Sequence, residues 1–271
     1  MTLRVNDLSR LPYFLANMLL AAVLLTGCGG GGSGSTSGPA KSSFTAGRIT
    51  GFGSVIVNDI RFDVSGSSVT NDEDEVQSVG DLKLGMMAEI EGGEITVNST
   101  GSHGDATAIH FRSAIIGPVG AVNTVAKSLI VLGQPVDVTA TTVFDERLPN
   151  GLGSIAMGDV VEVFGMLDTN TGHYTATRIE PKPNAPFFKL RGVVSSLDTT
   201  ALAFKIGGET ISNANLTPDK IPADLVNGLL VYVKLETTQV AGAWVADKLK
   251  DRKSTRLNSS HHAISRMPSS A

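Results

Sequence analysis

Ala106-Thr107-Ala108-Ile109, Ala176-Thr177-Arg178-Ile179 and Ala246-Asp247-Lys248-Leu249 follow one another at intervals of 70 residues, and that spacing decides the fold. Self-similarity at a fixed period means one supersecondary unit used several times. A Gly and an apolar strand precede each of these segments: Leu84-Gly85-Met86-Met87-Ala88-Glu89-Ile90, Met157-Gly158-Asp159-Val160-Val161-Glu162-Val163 and Asn227-Gly228-Leu229-Leu230-Val231-Tyr232-Val233. Within each unit the apolar residues alternate with period two, the mark of strands. Hairpins are predicted at Asn58-Asp59, at Gly133-Gln134-Pro135 and at Gly207-Gly208. Short polar stretches at Ser78–Leu84, Pro149–Met157 and Thr217–Val226 leave room for one helical turn, the last with Thr217 as cap and Pro218 at the first helical position.

Five strands with a turn of helix between the third and fourth is the plan of a small OB-like barrel. The predicted fold class is therefore all-β: tandem five-stranded OB-like barrels, about three repeats, after a signal peptide and flexible linker. Closure matters because about 70 residues bury little core and open edges invite aggregation. Open meanders packed on one another are the alternative. The predicted organisation is a signal segment 1–27, a lipidated cysteine and tether 28–43, and β repeats 44–112, 113–183 and 184–250. Residues 251–271 form a separate tail. Its first eleven residues, Asp251 to His261, resemble a reading frame of a common sequencing adapter, so the segment is set aside from functional reasoning; a genuine basic, Ser-rich tail is the alternative.

Hydrophobic residues at 41% and charged residues at 18% are ordinary globular values and exclude wholesale disorder. The formal net charge is −4, but residues 1–27 carry +1 and residues 251–271 carry +3, which leaves −8 on residues 28–250. A body that acidic repels phosphate backbones, so nucleic acid is not an expected partner.

The single cysteine, Cys28, excludes an intrachain disulfide. Arg4 and Arg10 precede an apolar run from Leu11 to Leu25, which closes with Leu25-Thr26-Gly27-Cys28. About 15 residues at 1.5 Å each reach roughly 22 Å, short of the ~30 Å hydrocarbon core, which suits a signal h-region better than a permanent span. The four-residue box resembles the bacterial lipobox. That resemblance implies cleavage before Cys28, acylation of its sulfur and new amino group, and the membrane as a partner through those chains. At ~0.8 kcal/mol per buried methylene, two or three acyl chains anchor a protein stably. An ordinary signal peptide with a chance cysteine, or an uncleaved anchor, is the alternative. Gly29, where an Asp would mark inner-membrane retention, leans the expectation toward the outer membrane. Residues 29–43, almost all Gly, Ser and Thr, have no core-forming side chain and form a tether reaching about 20–23 Å.

Gly47-Arg48-Ile49-Thr50-Gly51-Phe52-Gly53-Ser54-Val55-Ile56-Val57-Asn58, with Arg61-Phe62-Asp63 and Leu82-Lys83-Leu84-Gly85-Met86, resembles a repeat of the domain-of-unknown-function 5666 family. The likeness is strongest in the first unit, and the later two keep the Gly and Ala landmarks only. It implies exported, often lipid-anchored bacterial proteins with tandem β domains, and it supplies no catalytic residues.

Few residues point to chemistry. His103 and His173 occupy equivalent turn positions, and neither they nor His110 lie in a metal-binding motif, so no metal or cofactor is expected. Gly51-Phe52-Gly53-Ser54 superficially has the look of a nucleophile turn, but it belongs to a strand and not to a strand-to-helix elbow. Asp72-Glu73-Asp74-Glu75 is the densest charge run and a candidate cation loop, although it lacks the EF-hand spacing; simple solvation is the plainer expectation. Tyr174 and Trp244 share a repeat position and are a candidate ligand face, with core packing as the plainer role because aromatics are only 5% of the chain. The reading that results is a non-enzymatic, lipid-anchored cell-envelope protein, a structural or binding β-repeat module. The alternative is a module for surface polysaccharide or calcium, and an envelope glycan or protein is the possible partner.

Overall fold

The computed structural model describes residues 41–251. The signal segment, Cys28, the tether up to residue 40 and the segment from residue 252 onward lie outside the described residues. Among the described residues the regular structure is β-strand and short 3-10 turns, and no helix is long and apolar enough to cross a membrane.

The first barrel consists of β1 (Ser43–Gly51), β2 (Val55–Val57), β3 (Ile60–Asp63), β4 (Ser68–Thr70), β5 (Val76–Gln77), β6 (Met87–Gly92), β7 (Thr96–Asn98) and β8 (Gly101–Arg112). β1 pairs antiparallel with β2 and β6, β2 with β3, and β6 with β8. The circuit closes because β3 runs parallel to β8, as does its continuation β4. β9 (Ile115–Asn123), β10 (Ser128–Val131), β11 (Gln134–Phe144), β12 (Val160–Leu167) and β13 (Tyr174–Pro181) close a second barrel in the same order. β14 (Phe188–Asp198), β15 (Ala203–Ile206), β16 (Glu209–Ser212), β17 (Leu230–Val240) and β18 (Ala243–Asp251) close a third. In each the third strand meets the fifth in parallel, so no antiparallel hairpin could make the closing bond.

The repeat landmarks have local causes. Asn58 and Asp59 both take positive φ, as a two-residue turn matching the strand twist requires. The second hairpin turns at Leu132-Gly133, one position earlier than Gly133-Gln134-Pro135 suggested, which lets Gln134 and Pro135 join the ladder opposite Val131 and Ile130. Gly85, Gly158 and Gly228, the glycines before the fourth strands, have φ of 87°, 93° and 90°. A side chain is strained in that conformation, which explains why Gly recurs there. The polar stretches carry 3-10 turns at Val79–Asp81, Gly151–Ser154 and Pro218–Lys220, all between the third and fourth strands. Thr217 has N-cap geometry with Pro218 behind it, but its side chain makes no capping bond.

Short strands such as β10 and β15 bury alternate residues, Leu129 and Val131, then Phe204 and Ile206. β13 departs from alternation: from Ala176 to Glu180 every residue is buried. One face lines its own barrel, and the other is covered by the first barrel, where a Cβ on Gly85 would lie 2.5 Å from the Thr177 carbonyl oxygen. β9 pairs with β14 at Ile115 and Ile116, so the second and third barrels share a single ten-stranded sheet. Their apolar residues, from Ala114 to Leu249, form one continuous cluster. The first barrel keeps its own cluster, to which β12 contributes Phe164.

Candidate functional site

The densest chemistry lies where the three barrels meet, and the acidic run of the first barrel is at its centre. Asn71 shapes this loop: its Oδ1 accepts from the amides of Glu73 and Glu75 at 2.9 and 3.0 Å, and its Nδ2 donates to Glu75 at 2.8 Å. Asp74 takes a φ of 64°, which Asp tolerates. Successive side chains therefore fan apart. Asp72 is buried and accepts from Lys189 Nζ at 2.9 Å, Arg191 Nη2 at 2.7 Å and the Ser113 amide at 3.2 Å. His110 Nε2 lies 3.7 Å from the same carboxylate. Glu73 accepts from the Tyr232 hydroxyl and from Lys248 Nζ at 3.3 Å, and Asp74 accepts from Lys250 Nζ at 2.8 Å. Glu75 stays with its own loop.

Burial opposes ionisation of Asp72, but Lys189 and Arg191 together outweigh it and hold its carboxyl well below the usual carboxylate range. Glu162 follows the same rule: burial raises it, and Lys189 and Lys182 bring it below its ordinary value. Glu162 also accepts from Ser113 Oγ at 2.7 Å and Lys182 Nζ at 2.8 Å. Burial and the neighbouring Glu73 push the Tyr232 hydroxyl far up. A second network joins the first two barrels. Arg178 donates to Asp145 at 2.9 Å, to Glu180 and to the Leu84 carbonyl oxygen at 3.1 Å, and Lys83 lies 3.7 Å from both carboxylates. The Arg147 hydrogen bond is the chief reason that Asp145 is held down to about 2.

A cavity of about 450 Å³ opens beside these pairs, lined by Asp72 and Phe111 of the first barrel, Glu162 and Phe164 of the second, and Phe187 and Lys189 before and in the third. Its walls are acidic on balance: Asp72, Glu73, Glu75, Asp81, Glu162 and Glu180 face Lys83, Lys182 and Lys189. Among the described residues no group of three or more His, Cys, Asp or Glu side chains is placed to hold a metal ion. What this arrangement does chemically is fix the barrels relative to one another.

The residues singled out from the sequence take up different positions. Of the acidic run Asp72 alone is buried, against the plainer expectation of solvation, while Asp74 and Glu75 are exposed; Asp72, Glu73 and Asp74 each meet cations of the third barrel. As a candidate cation loop, the run already holds the ammonium and guanidinium groups of its own chain. Tyr174 and Trp244 do not form a surface face. Tyr174 is 1% exposed and donates to the Arg191 carbonyl oxygen at 2.7 Å, while Trp244 packs edge-on against Phe188 with centroids 5.5 Å apart and donates to Glu209 at 2.8 Å. Aromatic bodies belong in cores once the polar tip has a partner, and both tips do. His173 is half exposed and pairs with Asp137 at 3.0 Å; His103 meets Thr100 at 2.8 Å. Gly51 ends β1, and Phe52 to Ser54 form the turn into β2, a strand-to-strand corner.

Sequence reasoning missed the basic half of the junction. The available signal was spacing: Lys189 with Arg191, and Lys248 with Lys250, stand two apart on strands, which puts each pair on one strand face.

The class defined by this architecture is a tandem array of small closed β-barrels. The family described as Domain of unknown function (DUF5666) matches residues 116–180, which is the second barrel, whereas the likeness read from the sequence was strongest in the first. No curated protein matches the chain.

Proposed function

We propose that this chain is an exported, lipid-tethered protein of the bacterial cell envelope, whose barrel array serves as a rigid structural or binding module and not as a catalyst. The placement rests on Leu25-Thr26-Gly27-Cys28 after a basic start and an apolar run. The role rests on one observation: the side chains best suited to chemistry, with Asp72 clamped between Lys189 and Arg191 at their centre, are used up in holding barrel to barrel. Acylated Cys28 holds the array at a bilayer, outer membrane before inner, and the tether lets it stand clear of the lipid.

Labelling cells that express the full chain with a palmitate analogue tests the placement. Label on the wild type and none on Cys28→Ala is the expected result; an unlabelled wild-type protein overturns the anchor. The rigid-module role is tested by calcium: because Asp72 and Asp74 hold lysines, added calcium should leave the melting temperature unchanged. A calcium-dependent rise removed by Asp74→Asn would transfer support to the cation-binding alternative.

A further inference from the structure

The third barrel is shorter than its siblings at one place. Phe62, Val136 and Ile211 sit at matching points of the third strands, facing Gly104, Tyr174 and Trp244 across the parallel ladder. From there to the Gly that opens the fourth strand the chain advances 23 positions in the first barrel, 22 in the second and 17 in the third. The lost residues correspond to the second half of the third strand. In the first barrel that half is Ser68-Val69-Thr70, parallel to Ala108–His110; in the second it is Val143-Phe144, parallel to Arg178 and Ile179. In the third barrel the chain leaves the sheet at Asn213, whose buried Oδ1 has no partner among the described residues. β18 pairs with β16 at Trp244 and Val245 only, while its other edge stays paired with β17 to Asp251.

What stands in place of the missing half-strand is an open cleft of about 860 Å³. Pro218, Ile221 and Pro222 form one wall and Asp247 to Lys250 the other. Unpaired strand backbone beside an apolar wall is a template for another strand. We propose that this cleft takes up an extended peptide from another protein, added parallel to β18 at Lys248–Lys250, as the half-strands of the sibling barrels are added to theirs.

The siblings specify the chemistry of the guest. Val69, buried, lies opposite Ile109, and Phe144 lies opposite Ile179; the matching residue here is Leu249, whose side chain is buried in the core while its backbone edge stays unpaired. The guest therefore carries one aliphatic or aromatic residue at the position opposite Leu249, flanked by Ser and Thr as in Ser68-Val69-Thr70 or preceded by a β-branched residue as in Val143-Phe144. With Lys248 and Lys250 already turned to Glu73 and Asp74, Asp219 and Asp247 outnumber Lys220 on the rim, Asp247 also lying 3.6 Å from Lys234, and they favour a flanking Lys or Arg. This inference concerns the array itself and holds wherever the chain resides in the cell.

The test is amide exchange on the full chain with a synthetic hexapeptide that repeats Thr141–Phe144 between two lysines. Exchange at residues 247–250 should slow about tenfold with this peptide, less with glutamates as flanks, and not at all when proline occupies its centre. Ala223→Trp, which fills the cleft, should remove the protection; if that variant does not fold, the proline peptide carries the control. Three results overturn the proposal: no slowing at millimolar peptide, slowing that survives the central proline, or residues 247–250 already as protected in the free chain as residues 108–110 and 178–179. Protection that grows with protein concentration alone overturns it in favour of a second copy as the guest.

Discussion

Where β9 meets β14, the second and third barrels share ladder hydrogen bonds and one apolar cluster; where the first barrel meets both of them, carboxylates face lysines and arginines. The two junctions differ in what they do for the array. A shared core makes neighbours unfold together, because opening one exposes the apolar surface of the other. A buried ionic junction adds little net stability, since desolvation offsets much of the attraction, but it punishes any misplacement that leaves a charge unpaired. Apart from Phe164, which β12 lends to its apolar cluster, the first barrel is thus held by specificity, and the other two by cohesion.

The sharpest way to break this contrast is Asp72→Asn, which leaves Lys189 and Arg191 buried without their main counter-charge. A loss of about 3–5 kcal/mol is expected, and urea unfolding should split, with the first barrel released before the others. Leu190→Ala attacks the other junction, because Leu190 is fully buried in the cluster common to two barrels. About 2–5 kcal/mol should be lost, with the second and third barrels still melting in a single lowered transition; two separate transitions would show that the shared core does not couple them.

Acid should act on the ionic junction. Asp145 is held at about 2 in the folded chain against an ordinary 3.8, so the unfolded chain takes up the proton first. Its contribution is whole above about pH 4 and is lost as pH falls toward 2, and the lowered Asp72 and Glu162 shift stability in the same direction. Melting temperature should be flat from pH 6 to 5 and fall below 4, with a shallower fall in Asp145→Asn.

A smaller loss follows from Gly192→Ala, where a Cβ would lie 2.3 Å from Ile206 Cγ2 and 3.0 Å from the Tyr174 hydroxyl. About 1–3 kcal/mol of overpacking is expected, read as a lower urea midpoint. Smallest is Asp74→Asn, which keeps the positive φ and removes the charge facing Lys250. Asp74 is half exposed, so a change below about 1 kcal/mol is expected, diminishing further in high salt.

Closure and repetition were legible because they depend on local rules. Period-two burial, glycines forced to φ near +90° and polar 3-10 turns leave marks at fixed offsets. The junction was not legible, because its partners are far apart in the chain. Nothing near Asp72 announces Lys189, and a run of four acids reads as solvated until a folded surface supplies cations. Tyr174 and Trp244 were found by their matching positions, but repetition alone does not say whether a residue faces inward or out. Here the Arg191 carbonyl oxygen and the Glu209 carboxylate, each far along the chain, decide it.

The bond from Asp74 to Lys250 spans 176 positions. A chain that emerges N-terminus first presents this loop long before the strand carrying Lys250 follows. The array is therefore completed from its far end, with the earliest barrel seated last. Until then water is the partner of the loop's carboxylates, and like charges on neighbouring molecules repel one another.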